Sequence, residues 1–151
     1  MKKGFVLACI AAFILLFEDL NHLIVILVVS DLEAGQAWSK AFRGTSIQSI
    51  LFVGGFRLIP FISLGSCAIY SNLLTHMKGK VSLWVGFVVA TSIVFIGYWG
   101  ITEPLYTDAH ASSTSALGYI GVPIAAAVYS MAACAFTYLI FWLVEVISKR
   151  K

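Results

Sequence analysis

Four residues carry chemistry that an apolar chain has no ordinary use for: Glu18, Asp19, His22 and Arg57. The first three fall in FEDLNHL (Phe17–Leu23), inside the greasy run Gly4–Ser30, and Arg57 falls inside a second such run. Two carboxylates beside an imidazole can hold or pass a proton, and intramembrane carboxylates and histidines recur in proton relays and cation sites. A guanidinium can instead clamp a carboxylate through two parallel hydrogen bonds. The spacing admits both uses. Glu18 and His22 are i,i+4 neighbours and Asp19 and His22 are i,i+3 neighbours, so a helix places all three on adjoining faces. Asn21 points away from that arc, which makes the polar sector broad and suits burial against several helices.

The elements that must position these groups follow from composition. The chain has 151 residues, of which 60% are hydrophobic and only 11% charged. Soluble domains run at ~45–50% apolar and ~25% charged, so a water-soluble fold of this size has nowhere to hide the surplus. The fold expected is an all-α integral membrane protein, a single domain over residues 1–151. Four runs reach the ~20 apolar residues that a span requires. They are Gly4–Ser30, Ser46–Leu74, Val81–Ile101 and Leu117–Ile147. Splitting the first run at Glu18 leaves Gly4–Phe17, which at 1.5 Å per residue spans only ~21 Å of a ~30 Å hydrocarbon core. With no Gly or Pro at the split, one continuous helix is expected. The Lys2-Lys3 start meets no small-residue cleavage pattern, so it reads as a retained first span rather than a signal peptide.

Orientation is read from Lys and Arg in the short connections. With the N-terminus inside, the inner side holds Lys2, Lys3, Lys78, Lys80, Lys149, Arg150 and Lys151, and the outer side only Lys40 and Arg43. The expectation is an antiparallel four-transmembrane-helix bundle with both termini cytoplasmic, in a bacterial inner membrane. The connections DLEAGQAWSKAFRG, THMKGK and EPLYTDAHASST read as loops.

Within that frame, antiparallel neighbours at equal depth in the first two spans have numbers summing to about 76, so Arg57 lies level with residue 19. An intramembrane ion pair between Arg57 and the Glu18-Asp19 pair is therefore expected. Pro60, three residues beyond Arg57, is expected to kink the second helix and to free a carbonyl or re-aim the arginine. Gly86/Ala90, Gly121/Ala125 and Ser130/Cys134 have the small-xxx-small spacing that lets helices or copies approach closely. Cys9, Cys67 and Cys134 lie in apolar surroundings and read as packing residues.

Other chemistry finds no support. There is no second histidine at membrane depth to complete a metal or haem site, so neither metal nor cofactor is expected. There is no nucleophile elbow, H-E-x-x-H or glycine-rich phosphate loop. No basic stripe points to nucleic acid. Two functions remain. The first is a non-enzymatic membrane protein that works through intramembrane helix contacts with a membrane partner or a second copy, in assembly, regulation or immunity/exclusion. The second is a small proton- or cation-coupled transporter or ion-conducting oligomer using Glu18, Asp19, His22 and Arg57.

Overall fold

The computed structural model describes residues 2–30, 32–43, 47–107 and 115–149, without the side chains of Glu18, Ile47, Ser49, Ile50, Ser115 and Ala116. Among the described residues six α-helices follow in order: α1 (Lys2–Leu15), α2 (Glu18–Val29), α3 (Ala34–Ala41), α4 (Ile47–Tyr70), α5 (Met77–Thr102) and α6 (Ser115–Ser148). Short 3₁₀ turns at Leu73–Thr75 and Glu103–Leu105 flank α5, and no strand occurs among the described residues. α4, α5 and α6 are each long and apolar enough to cross a membrane, and α1 with α2 makes a fourth such unit if the two count as one span.

The first apolar run is not the continuous helix expected from sequence. It breaks at Leu16-Phe17, and α2 leaves α1 at an angle of 56°. Neither Gly nor Pro is involved. Phe17 takes an extended conformation (φ −56°, ψ 136°), and its carbonyl accepts from the Asn21 amide to open α2. On the other side, the Phe17 amide bonds the Ile14 carbonyl three residues back, which tightens the last turn of α1. Acidic residues are favoured in the first turn of a helix, where free amides and the positive dipole end lie. Restarting the helix at Glu18-Asp19 turns two mid-helix charges into first-turn ones.

The principal seam joins α5 to α6, with α4 lying across both and α1 against α4. Small residues set the seam. A Cβ on Gly86 would stand 2.9 Å from the Ser130 carbonyl oxygen and 3.2 Å from the Cys134 Cβ. Ala90, Ala126 and Ser130 are fully buried along the same line. Two of the three small-residue pairs thus pack helix on helix. Gly121 faces outward, and a Cβ there would meet nothing within 4 Å. All three cysteines are free thiols, and Cys9 and Cys134 join the core cluster with Phe61, Leu64 and Leu83.

Phe5 of α1 drives between Trp84 and Phe87 of α5, meeting them edge-on at 5.3 and 6.0 Å between ring centroids. Beyond the break, α2 leaves α4 for α5 and α3. α3, expected as loop, is an eight-residue helix that lays Ala37 and Ala41 on Ile26 of α2. Trp38 remains exposed and stacks on Phe42 at 4.5 Å. Pro60 is buried in α4, which remains helical from Ile47 to Tyr70.

Candidate functional site

The break between α1 and α2 is where the polar residues gather, and Arg57 is its centre. Only 1% of Arg57 is exposed. Its Nη1 donates to the Leu16 carbonyl at 3.1 Å. The guanidinium carbon lies 4.7 Å from the Phe13 ring centroid and 4.9 Å from that of Phe17. Each contact has a reason in the chain. Breaking the helix after Leu16 frees a carbonyl, and in a water-free interior such a group needs a donor. A cation is also favoured at the C-terminal end of a helix. Phe13 and Phe17, four residues apart, present two π faces to that cation.

The Leu16 carbonyl that Arg57 reaches lies on the broken first segment. The depth count places Arg57 level with residue 19, and the contacts described above fall at residues 13, 16 and 17. The side chain of Glu18 lies outside the described residues. Asp19, in the first turn of α2, is half-buried.

Asn21 is also deeply buried, at 2% exposure. It faces α5, where its Nδ2 donates to the Phe95 carbonyl at 3.4 Å, a long bond. Its Oδ1 has no hydrogen-bond partner among the described residues. A buried amide satisfied on one side only costs ~1–3 kcal/mol relative to one fully bonded.

His22 turns toward the far end of the bundle. Its Nε2 shares a short hydrogen bond with the Tyr106 hydroxyl, and the two ring centroids are 5.5 Å apart. Burial pushes the Tyr106 phenol above its usual value of 10.0, so the hydroxyl keeps its proton and can donate to Nε2. Lys40 of α3 lies over the other part of this contact, with Nζ 4.8 Å from the Tyr106 centroid. Nearby, Trp99 Nε1 donates to Glu103 Oε2 at 2.7 Å and trims the end of α5. Asp108 and His110 of the same connection lie outside the described residues.

Arg57 joins α4 to the α1–α2 break, and His22 joins α2 to the turn after α5. Sequence reasoning missed Phe13, Phe17, Phe95 and Tyr106. The Phe13/Phe17 spacing was a usable signal, whereas Tyr106 lies 84 residues from His22 and left no local trace. No group of three or more His, Cys, Asp or Glu able to hold a metal ion occurs among the described residues.

Fold and site together define an all-helical protein with three or four membrane-length apolar units, the first of them broken at a buried arginine. Compared with known proteins, the chain matches no family model, no curated protein and no solved structure.

Proposed function

We propose that this is a multi-pass protein of a bacterial inner membrane, with α1–α2, α4, α5 and α6 as four crossings and both termini in the cytoplasm. In this reading it is not an enzyme; it acts through helix contacts with a membrane partner or a second copy, in an assembly, regulatory or immunity/exclusion role. The observation that carries it is how the polar and apolar groups are divided. The Arg57 guanidinium, the Asn21 amide and the His22 imidazole all engage internal partners. The outward surface is apolar instead: only 17% of α6's most apolar stretch is buried within the protein, and Ile124, Val128, Phe136, Ile140 and Leu143 stand exposed along it.

Orientation is supported by the charges. Lys2 Nζ donates to the Ile69 carbonyl at the end of α4, and Lys78 at the start of α5 pairs with Glu145 near the end of α6. One end of the bundle thereby collects Lys2, Lys3, Lys78, Lys80 and Lys149, as the positive-inside rule asks of a cytoplasmic face.

The second reading, proton- or cation-coupled transport through Glu18, Asp19, His22 and Arg57, is favoured by the break itself. Discontinuous helices whose ends meet ionisable groups at depth are a recurrent way to build such sites. Liposomes that contain the protein and a trapped pH dye separate the two. Under an imposed gradient, the contact reading expects equal, slow dye response from the wild type and from Glu18→Gln/Asp19→Asn. Proton flux that disappears in the double variant would replace it with the transport reading.

A further inference from the structure

At the basic end of the bundle, three neighbouring cavities share lining residues. The first is a groove of about 620 Å³ between α4 and α6, walled by Cys67, Leu73, Met131, Cys134, Leu139 and Trp142. The second, of about 280 Å³, lies under the α4–α5 turn and is lined by Ser71, Asn72, Leu73, His76 and Tyr138. The third, of about 690 Å³, opens between the start of α5 and the end of α6, against His76, Lys78, Glu145 and Lys149. Tyr138 borders all three, Leu73 the first two, and His76 the last two. The sequence of surfaces is apolar, then hydroxyl and amide, then cationic.

We propose that these three adjoining cavities form a binding site for an anionic phospholipid of the surrounding bilayer. One acyl chain lies in the α4/α6 groove, and the phosphate sits at His76, Lys78 and Lys149. Three observations point to this occupant rather than to an apolar helix. The first is charge. Lys78 Nζ lies 3.0 Å from one carboxylate oxygen of Glu145, and Lys149 Nζ lies 2.8 Å from the other. The trio keeps one net positive charge, which a singly charged phosphodiester neutralises and a zwitterionic headgroup does not. The second is the backbone. α5 begins at Met77 with no acidic residue in its first turn and no side-chain cap, and His76, Met77 and Lys78 line the same cavity. Helix starts of this kind bind phosphate oxygens. The third is the boundary. Tyr138, with the Lys78 ammonium 5.5 Å from its ring centroid, and Trp142 mark the level where headgroup and chain divide. Basic pockets between membrane helices on the cytoplasmic side suit anionic headgroups.

The close fold of the α4–α5 turn onto α5 gives the middle cavity its floor. A Cβ on Gly79 would lie 2.0 Å from the Leu73 carbonyl oxygen, so only glycine permits that approach.

The site rests on the membrane reading and is indifferent to the choice between partner contact and transport. A chain that stays dispersed without detergent would remove the membrane reading; a detergent-requiring chain without lipid preference would remove only the site. The test is native mass spectrometry of the detergent-purified full chain with phosphatidylglycerol and phosphatidylcholine of matched acyl chains. Retention of phosphatidylglycerol should exceed that of phosphatidylcholine by about tenfold or more, given what each basic residue contributes near an anionic surface. Lys78→Gln with Lys149→Gln should bring the two lipids level. Glu145→Gln should raise phosphatidylglycerol retention by releasing both lysines, whereas a purely structural ion trio predicts loss of stability and no gain in lipid. Ala135→Phe, which fills the groove from an exposed position, should lower retention of both lipids. Equal retention by the wild type, a preference that survives the lysine changes, or displacement of phosphatidylglycerol by excess inorganic phosphate would each overturn the proposal. Should the lysine variant fail to fold, the sign of the Glu145→Gln effect decides alone.

Discussion

Replacing Arg57 by Met is the sharpest test of how the broken first segment is held. Methionine keeps an unbranched chain and loses the charge and the donors. At least three contributions disappear with them. The hydrogen bond from Nη1 to the Leu16 carbonyl, 3.1 Å long and charge-assisted, contributes ~1.5–3 kcal/mol. The Phe13 and Phe17 rings, at 4.7 and 4.9 Å, contribute ~0.5–2 kcal/mol each for a desolvated cation. Against these, methionine relieves the cost of burying a charge, and its sulfur recovers ~0.3–1.5 kcal/mol against the same rings. The net expectation is a loss of ~2–4 kcal/mol, within the range for removing one partner of a buried polar network.

The assay is reversible unfolding in mixed micelles at increasing SDS fraction, followed by far-ultraviolet circular dichroism. A double-mutant cycle with Phe17→Leu adds specificity, since rings that hold the cation should couple to Arg57 by ~0.5–2 kcal/mol. Arg57→Lys should recover little, because an ammonium lacks the planar fork that lies against two rings while reaching a carbonyl. Adding Glu18→Gln and Asp19→Asn to Arg57→Met should restore part of the loss if the carboxylates answer the arginine's charge. An Arg57→Met protein within ~0.5 kcal/mol of the wild type, with no coupling to Phe17, would refute the idea that the arginine holds the break together.

Gly86→Ala should destabilise the same preparation by ~1–3 kcal/mol, because the new methyl meets a facing backbone oxygen at 2.9 Å, while Gly121→Ala, which meets nothing within 4 Å, should be near neutral. Asn21→Leu should leave unfolding unchanged or raise stability, since it removes a buried carbonyl oxygen without a partner among the described residues and a bond of 3.4 Å. Tyr106→Phe should cost ~0.5–1.5 kcal/mol at neutral pH by removing the hydroxyl that meets His22. Because the folded Tyr106 phenol titrates above its usual 10.0, the wild type should lose stability as pH rises past 10 toward the folded value; the Phe variant should lack that part of the loss, as read by unfolding at stepped pH.

Much of this architecture is legible in the order of residues. Periodicity is hardly needed: the length of each apolar run locates α4, α5 and α6. The depth count puts Arg57 opposite the first segment, within one helical turn of the Leu16 carbonyl that it reaches. The break is not legible because the usual punctuation, Gly or Pro, is missing. What the chain offers instead is Glu18-Asp19, which favours a new helix start, and Arg57, which answers the carbonyl that the start leaves behind. The second half of that signal lies 41 residues away and has meaning only once the helices are packed. α3 is hidden for a different reason. Its eight residues carry Ala37/Ala41, and Trp38 with the C-cap Phe42, at helical spacing, but a run so short forms only when α2 supplies a surface. Tyr106 is invisible because no pattern near His22 encodes its partner.

The break and the arginine are best understood as mutually dependent. A continuous helix from Lys2 to Val29 would satisfy the Leu16 carbonyl within the helix and leave Glu18 and Asp19 at mid-helix. A break without Arg57 would give the carboxylates a helix start and leave the Leu16 carbonyl bare in an apolar interior, at a cost of several kcal/mol. An arginine opposite an unbroken helix would be a buried cation with two aromatic faces and no backbone acceptor. Each of the three fails alone, and the combination closes: the C-terminal end of α1 receives a cation, the start of α2 receives Asp19, and the 56° bend carries α2 from α4 to α5 and α3. It follows that substitutions at Arg57 should act on the direction of α2 as well as on global stability. Spin labels on α2 and α5, read as a distance distribution, should broaden in Arg57→Met even in detergent where the protein remains helical; a distribution as narrow as the wild type's would mean that α3 and Tyr106 fix α2 without the arginine.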